Sequence, residues 1–246
     1  MTKLLGGWNV SPSHAPMDAF DYTMYGMVTN LEGLTTGTAA APGWSPEKVT
    51  RPDSAPSQGK VLWTYGGGGC SPNSKPASED EVSRIVSATI NNGWDGVDFD
   101  DECRMNIPLV IETMRRLKEN GKETSFGFIA GSDYNSPGTA QGKALTEKVR
   151  QVIDAGQCNR LIHYCYAAAM WSKADIENNV RQVLEKSLSY GMPAEKVILA
   201  LTSRGLDDWS LNYFIEQVNN LNVGGIFIWA WEKLTPEHRE ILKKIK

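Results

Sequence analysis

Gly93-Trp94-Asp95-Gly96-Val97-Asp98-Phe99-Asp100-Asp101-Glu102 is the stretch on which the reading of the whole chain turns. In an extended strand successive side chains face opposite sides, so Asp98, Asp100 and Glu102 line one face while Val97 and Phe99 line the other. Neighbouring carboxylates in such a column stand roughly 7 Å apart. Like charges in an apolar setting cannot all ionise freely, so at least one pKa rises and protons are shared within the group. A structural core has little use for such a column, whereas a site that needs a proton donor at neutral pH does. A solvated acidic edge strand is the alternative, and the apolar partners Val97 and Phe99 argue against it. Asp95, of opposite parity, is expected to support the base of the strand.

Working outward, apolar runs of strand length recur at 3–9, 23–30, 60–66, 94–100, 123–130, 160–166, 196–202 and 224–230. Helical patterns separate most of them. Ser78-Glu79-Asp80-Glu81 is a capping box, opening a helix with Val82, Ile85, Val86 and Ile90 on one face. Asn106 precedes a helix that stops at Asn120-Gly121. Further helices are expected over 144–155, 173–190 and 208–221, and Thr235-Pro236-Glu237 opens the last. A first helix around 17–22 is the weakest pattern of the series.

Sustained strand–helix alternation implies a parallel sheet with helices packed outside. Eight units in 246 residues leave about 31 residues each, close to the shortest βαβ unit. The expected fold is therefore α/β, a compact (β/α)8 TIM barrel, with residues 1–246 forming a single domain. An open doubly wound sheet is the runner-up, but no Gly-x-Gly-x-x-Gly turn follows the first strand. The irregular stretch 31–59 would lie on the C-terminal face of such a barrel, where it either shapes a groove or forms a surface loop.

In a barrel, Glu102 would sit at the C-terminal tip of strand four with Asp100 and Asp98 beneath it, where active sites of this architecture form. Asp95-x-x-Asp98-x-Asp100-x-Glu102 resembles the D-x-x-D-x-D-x-E signature of glycoside hydrolase family 18, the chitinases and endo-β-N-acetylglucosaminidases. Thr64-Tyr65-Gly66-Gly67 resembles that family's S-x-G-G at the end of strand three, with Thr64 in place of Ser. Tyr166 ends strand six, where the family keeps a tyrosine, and Trp229 closes a strand-eight segment whose tryptophan floors the sugar subsite. One departure stands out. The family's M-x-Y-D becomes Tyr164-Cys165-Tyr166-Ala167, so a group that would hydrogen-bond the reacting sugar is missing or supplied from elsewhere.

The resemblance implies a retaining, substrate-assisted endo-glycosidase cleaving β-1,4-linked N-acetylglucosamine in chitin, chitooligosaccharides or an N-glycan core, an exception to the two-carboxylate rule. Glu102 would be the acid and Asp100 would orient the substrate's acetamido group. Asp98 would tune Asp100, and Tyr166 would bond the acetamido oxygen. Trp229, Gly66, Gly67, Trp8, Tyr164 and Arg204 are candidate substrate contacts, and neither metal nor cofactor is required. Only residues 203–207 connect strand seven to the next helix, so the small domain that many family members insert there is missing, which implies an open groove. Two other readings remain: a non-catalytic sugar-binding relative (lectin or inhibitor), and a Mg²⁺ or Mn²⁺ site on the same acids, which lacks an accompanying phosphate-binding Lys or Arg cluster.

The remaining signals exclude more than they assign. A net charge of -4 disfavours nucleic acid, and no apolar run reaches membrane-spanning length. The partner expected is an N-acetylglucosamine-containing saccharide, bound by a monomer. Met1-Thr2-Lys3 leads directly into a strand, leaving no room for a signal peptide, so a cytosolic protein or a mature form with an added Met is expected. Cys70, Cys103, Cys158 and Cys165 lack metal-ligand spacing, although Cys70 and Cys103 could approach each other. His14, His163 and His238 are scattered, and Gly66-Gly67-Gly68-Gly69 lacks the Gly-Lys-Ser/Thr of a phosphate loop. Among eight tryptophans, Trp229 and some of Trp8, Trp44, Trp171 and Trp231 are expected along a groove, while Trp63, Trp94 and Trp209 are expected in packing.

Overall fold

The computed structural model describes residues 2–9, 16–28, 49–67, 75–102, 104–136, 138–165 and 172–245, apart from the side chains of Met27 and Ser132. Eight parallel strands close into a barrel in sequential order: β1 Leu4–Asn9, β2 Tyr22–Val28, β3 Lys60–Gly66, β4 Gly96–Asp101, β5 Glu123–Ile129, β6 Arg160–Tyr164, β7 Val197–Thr202 and β8 Gly225–Trp229, with β8 pairing back onto β1. The helices are α1 Glu79–Asn91, α2 Ile107–Glu119, α3 Ser132–Asn135, α4 Ala140–Ala155, α5 Lys173–Ser189, α6 Asp208–Asn220 and α7 Pro236–Lys243.

The period-two alternation sorts side chains between two cores. Val97 and Phe99 point outward into the large layer between strands and helices, with Val61, Trp63 and Ile85. The even-numbered residues of β4 point inward, beside an interior cluster of Trp8, Met24, Leu62, Ile162, Tyr164, Ile198, Ala200 and Phe227. Val82 and Ile85 of α1 are fully buried, each contributing about 1.5–3 kcal/mol of apolar transfer. Ile90, expected on the same face, is exposed because it lies about 80° around the helix from Val82.

Strand and helix boundaries depart from the expectations where tertiary pairing takes over. No helix forms at 17–22: residues 17–21 make a turn and a bend that lead into β2, and Tyr22 is already strand, in register with Gly6. Helix α4 starts earlier than expected, since Thr139 accepts the Gly142 N–H and caps it at 2.9 Å. Ser78 caps α1 as anticipated, but Glu81 does not complete the box. Its carboxylate takes the Ala77 N–H and an ion pair from Lys75 instead. The expected ends of strands two and six, and the helix signal near 45–47, lie outside the described residues.

The N-terminal end of the barrel is closed by polar groups. Arg160, buried, donates to Glu123 at 2.6 Å and lies 3.9 Å over the Tyr22 ring, while Tyr22 donates to the same carboxylate at 3.0 Å. Asp95 supports the base of β4 by accepting the Val61 N–H at 2.8 Å and pairing with Arg51 at 3.5 Å. Its opposite parity puts it on the outside, as the strand period requires.

Candidate active site

The interstrand register explains the different surroundings of the two interior aspartates. Asp98 is paired with Thr64 on β3 and Ser125 on β5, and both hydroxyls donate to it, at 3.0 and 2.6 Å. A third donor, the Trp8 indole N–H, reaches the Asp98 Oδ2 from β1 at 2.8 Å. Burial pushes the Asp98 pKa up. The three hydrogen bonds and the Arg160 charge at the barrel base pull it back without cancelling that rise.

Asp100, two residues higher, is paired with Gly66 and Gly127, which have no side chains to offer. Among the described residues its buried Oδ1 has no partner in hydrogen-bonding geometry. Burial, then the neighbouring Glu102 and Asp98 charges, raise its pKa well above the ordinary carboxylate range, and the Tyr164 hydroxyl works weakly the other way. The place that a Cβ would occupy on Gly127 is taken by that hydroxyl, 2.0 Å from the ideal position. Gly127 therefore lets β6 send a long side chain across to the carboxylate column.

Glu102 lies just past the end of β4 and is exposed. Partial desolvation, followed by the charge of Asp101, raises its pKa. The column is thus graded, from a hydrogen-bonded carboxylate at the bottom, through an under-bonded one, to an accessible acid at the mouth. Gly66 and Gly67 fold the end of β3 over it. Both have positive φ, +105° and +94°, and the Gly67 N–H donates to the Asp100 carbonyl at 2.9 Å. A Cβ on Gly66 would stand 2.3 Å from that same carbonyl oxygen.

The other candidates divide by depth. Trp229 is half-buried at the end of β8, with its ring against Trp8 at 6.4 Å. Trp8 and Tyr164 are buried, edge to face at 5.6 Å, so they lie one layer beneath the mouth, supporting Asp98 and Asp100 rather than forming its surface. Arg204 is exposed just beyond β7. Trp231 is buried against Phe20, and Trp63 and Trp94 are buried in packing. Trp209 is half-buried, stacked on Tyr213.

Cys158 and Cys165 are free, buried thiols, and burial pushes Cys158 up to about 12. His163 sits outside the barrel wall, bonded to Ser187 at 2.8 Å. Tyr166, Ala167, Trp44, Trp171, Cys70, Cys103, His14, Gly68 and Gly69 lie outside the described residues.

Ser125, Asp101 and its partner Lys148 escaped the sequence reading. Ser125 carries no motif, and only the register of β5 against β4 singles it out. Asp101 faces outward, where its buried carboxylate takes the Met105 N–H at 2.8 Å and Lys148 of α4 at 2.5 Å. Among the described residues no group of three or more His, Cys, Asp or Glu side chains is arranged to hold a metal ion, and no helix is long and apolar enough to cross a membrane.

Fold and site together define a (β/α)8 barrel with a carboxylate column on its fourth strand, opening at the C-terminal face. No protein-family model and no curated protein sequence matches the chain. Solved structures do. The catalytic domain of a hyperthermophilic chitinase from Pyrococcus furiosus aligns over 100% of this chain and 95% of its own, with TM-score 0.71 and 13% identity. A fungal endo-β-N-acetylglucosaminidase from glycosyl hydrolase family 18 aligns over 98% and 96%, with TM-score 0.63 and 13% identity. A class V chitinase from Nicotiana tobaccum aligns over 99% and 98%, with TM-score 0.68 and 10% identity. At such identities the likeness is one of fold.

Proposed function

We propose that this protein is a glycoside hydrolase acting on chains that contain β-1,4-linked N-acetylglucosamine, by a retaining, substrate-assisted mechanism. The single observation that carries this reading is the graded column, with an under-bonded buried Asp100 beside an accessible Glu102 whose pKa is raised. A raised pKa keeps a carboxyl protonated closer to neutrality, as a general acid requires.

Glu102 gives its proton to the glycosidic oxygen as the bond from that oxygen to the anomeric carbon breaks. The carbonyl oxygen of the substrate's 2-acetamido group closes onto the anomeric carbon from the opposite face, giving an oxazolinium ion. Asp100 accepts the acetamido N–H, which supplies the partner its Oδ1 lacks, and offsets the positive charge that develops. Asp98, held by Thr64, Ser125 and Trp8, fixes the electrostatics beneath it. Glu102, now a carboxylate, takes a proton from water as that water opens the ring, and two inversions leave the configuration unchanged. Trp229 offers an aromatic face to the apolar side of a pyranose ring. Tyr166 is assigned to the acetamido oxygen on its sequence position.

The test is incubation of the wild type and Glu102→Gln with chitooligosaccharides and with a high-mannose glycopeptide, in EDTA. We expect products from the wild type and a loss of about 10²–10⁴-fold in the variant, the range for removing a general acid. Saccharide binding without turnover by both proteins would instead identify a sugar-binding protein. Loss of turnover on adding EDTA would overturn the metal-free mechanism.

A further inference from the structure

Within β4 itself Asp101 is the one acid that turns away from the barrel interior, and its side chain is completely buried. One oxygen accepts the Met105 N–H at 2.8 Å, which ties the chain beyond Glu102 back onto the strand it has just left. Met105 in turn packs on the end of β3, where its methyl group occupies the space a Gly66 Cβ would need. The other Asp101 oxygen pairs with Lys148 of α4 at 2.5 Å. Thus the residue next to the proposed acid is clamped on one side by its own turn and on the other by a helix.

We infer that the Asp101–Lys148 ion pair is a positioning device for Glu102, holding it at the mouth and setting how tightly it keeps its proton. This deepens the hydrolase reading and rests on it for its catalytic meaning. The charged groups that act on Glu102 among the described residues are Asp100 beneath it and Asp101 beside it, with Lys148 reached through Asp101. The Asp101 charge raises the Glu102 pKa alongside that of Asp100, and Lys148 is the Asp101 counterion. Removing the carboxylate should make Glu102 release its proton more readily. Removing the lysine leaves that carboxylate uncompensated and should have the opposite effect.

The experiment is a carbon-13 NMR titration of glutamate-labelled protein, with the Glu102 carboxyl resonance assigned by its loss in Glu102→Gln. Asp101→Asn should lower the Glu102 midpoint, and Lys148→Met should raise it, each by about half a pH unit to one unit for a single partly solvated charge. The double variant should fall between them. The alkaline limb of the pH–rate profile for hydrolysis should move in the same two directions, which mere loosening of the turn would not produce. Unmoved midpoints, or shifts in one common direction, would overturn the inference. Opposed NMR shifts in a protein that hydrolyses no N-acetylglucosamine substrate would leave the ion pair's role standing and reject the hydrolase reading alone.

Discussion

Replacing Asp100 by Asn should make the protein more stable at neutral pH. Asp100 is buried, its Oδ1 has no hydrogen-bond partner among the described residues, and its pKa is raised by burial and by Glu102 and Asp98. Between the unfolded-state carboxylate pKa, about 3.9, and the raised folded value, the folded protein holds a proton that the unfolded chain has released. The unfolding free energy therefore falls as pH rises through that window, and the site lowers stability at pH 7 but not below about pH 4. Leaving one buried oxygen of such a group unsatisfied costs about 1–3 kcal/mol. The near-isosteric, uncharged amide should recover much of this, raising Tm by about 2–10 °C for a domain of this size. Urea denaturation of wild type and variant at pH 7 and pH 4 measures it. A variant less stable at pH 7, or an equal gain at both pH values, would refute the reasoning.

Other perturbations test separate parts of the structure. Trp8→Phe keeps a ring in the interior but removes the indole N–H that donates to Asp98 at 2.8 Å. It should destabilise by about 1.5–3 kcal/mol, the range for a hydrogen bond to a charged group, as read by chemical denaturation. Gly66→Ala places a Cβ 2.2 Å from the Met105 methyl and 2.3 Å from the Asp100 carbonyl at φ +105°. A loss of about 2–4 kcal/mol is expected in thermal melts monitored by circular dichroism. His163, pushed down to about 4 by burial, should remain neutral at pH 5 in NMR titrations. Its unfolded form binds a proton near pH 6.5, so its contribution to stability is lost as pH falls from there through about 4.

Much of the site could be read before the fold was seen. The acids at 98, 100 and 102 share a strand face by parity alone, and Val97 and Phe99 show which face meets the helices. The spacing does not distinguish Asp98 from Asp100, and their environments differ sharply. One has hydroxyls in register on both neighbouring strands and the other has glycines. Trp8 was expected to contact substrate because aromatic rings stack on sugars, but barrel closure places it beneath Trp229 with its N–H on Asp98.

The sequence by itself determined the barrel and the carboxylate column, because both follow from short-range periodicity. Side chains alternate every second residue in a strand, and strands alternate with helices along the chain. Only the tertiary structure decided which groups meet those carboxylates. Trp8 reaches Asp98 from 90 residues away, Ser125 from 27, and Lys148 reaches Asp101 from 47. These meetings depend on how β1, β4 and β5 are staggered when the barrel closes and on where α4 packs. Stagger and packing are properties of the closed sheet, shared among all eight strands and written in no single segment.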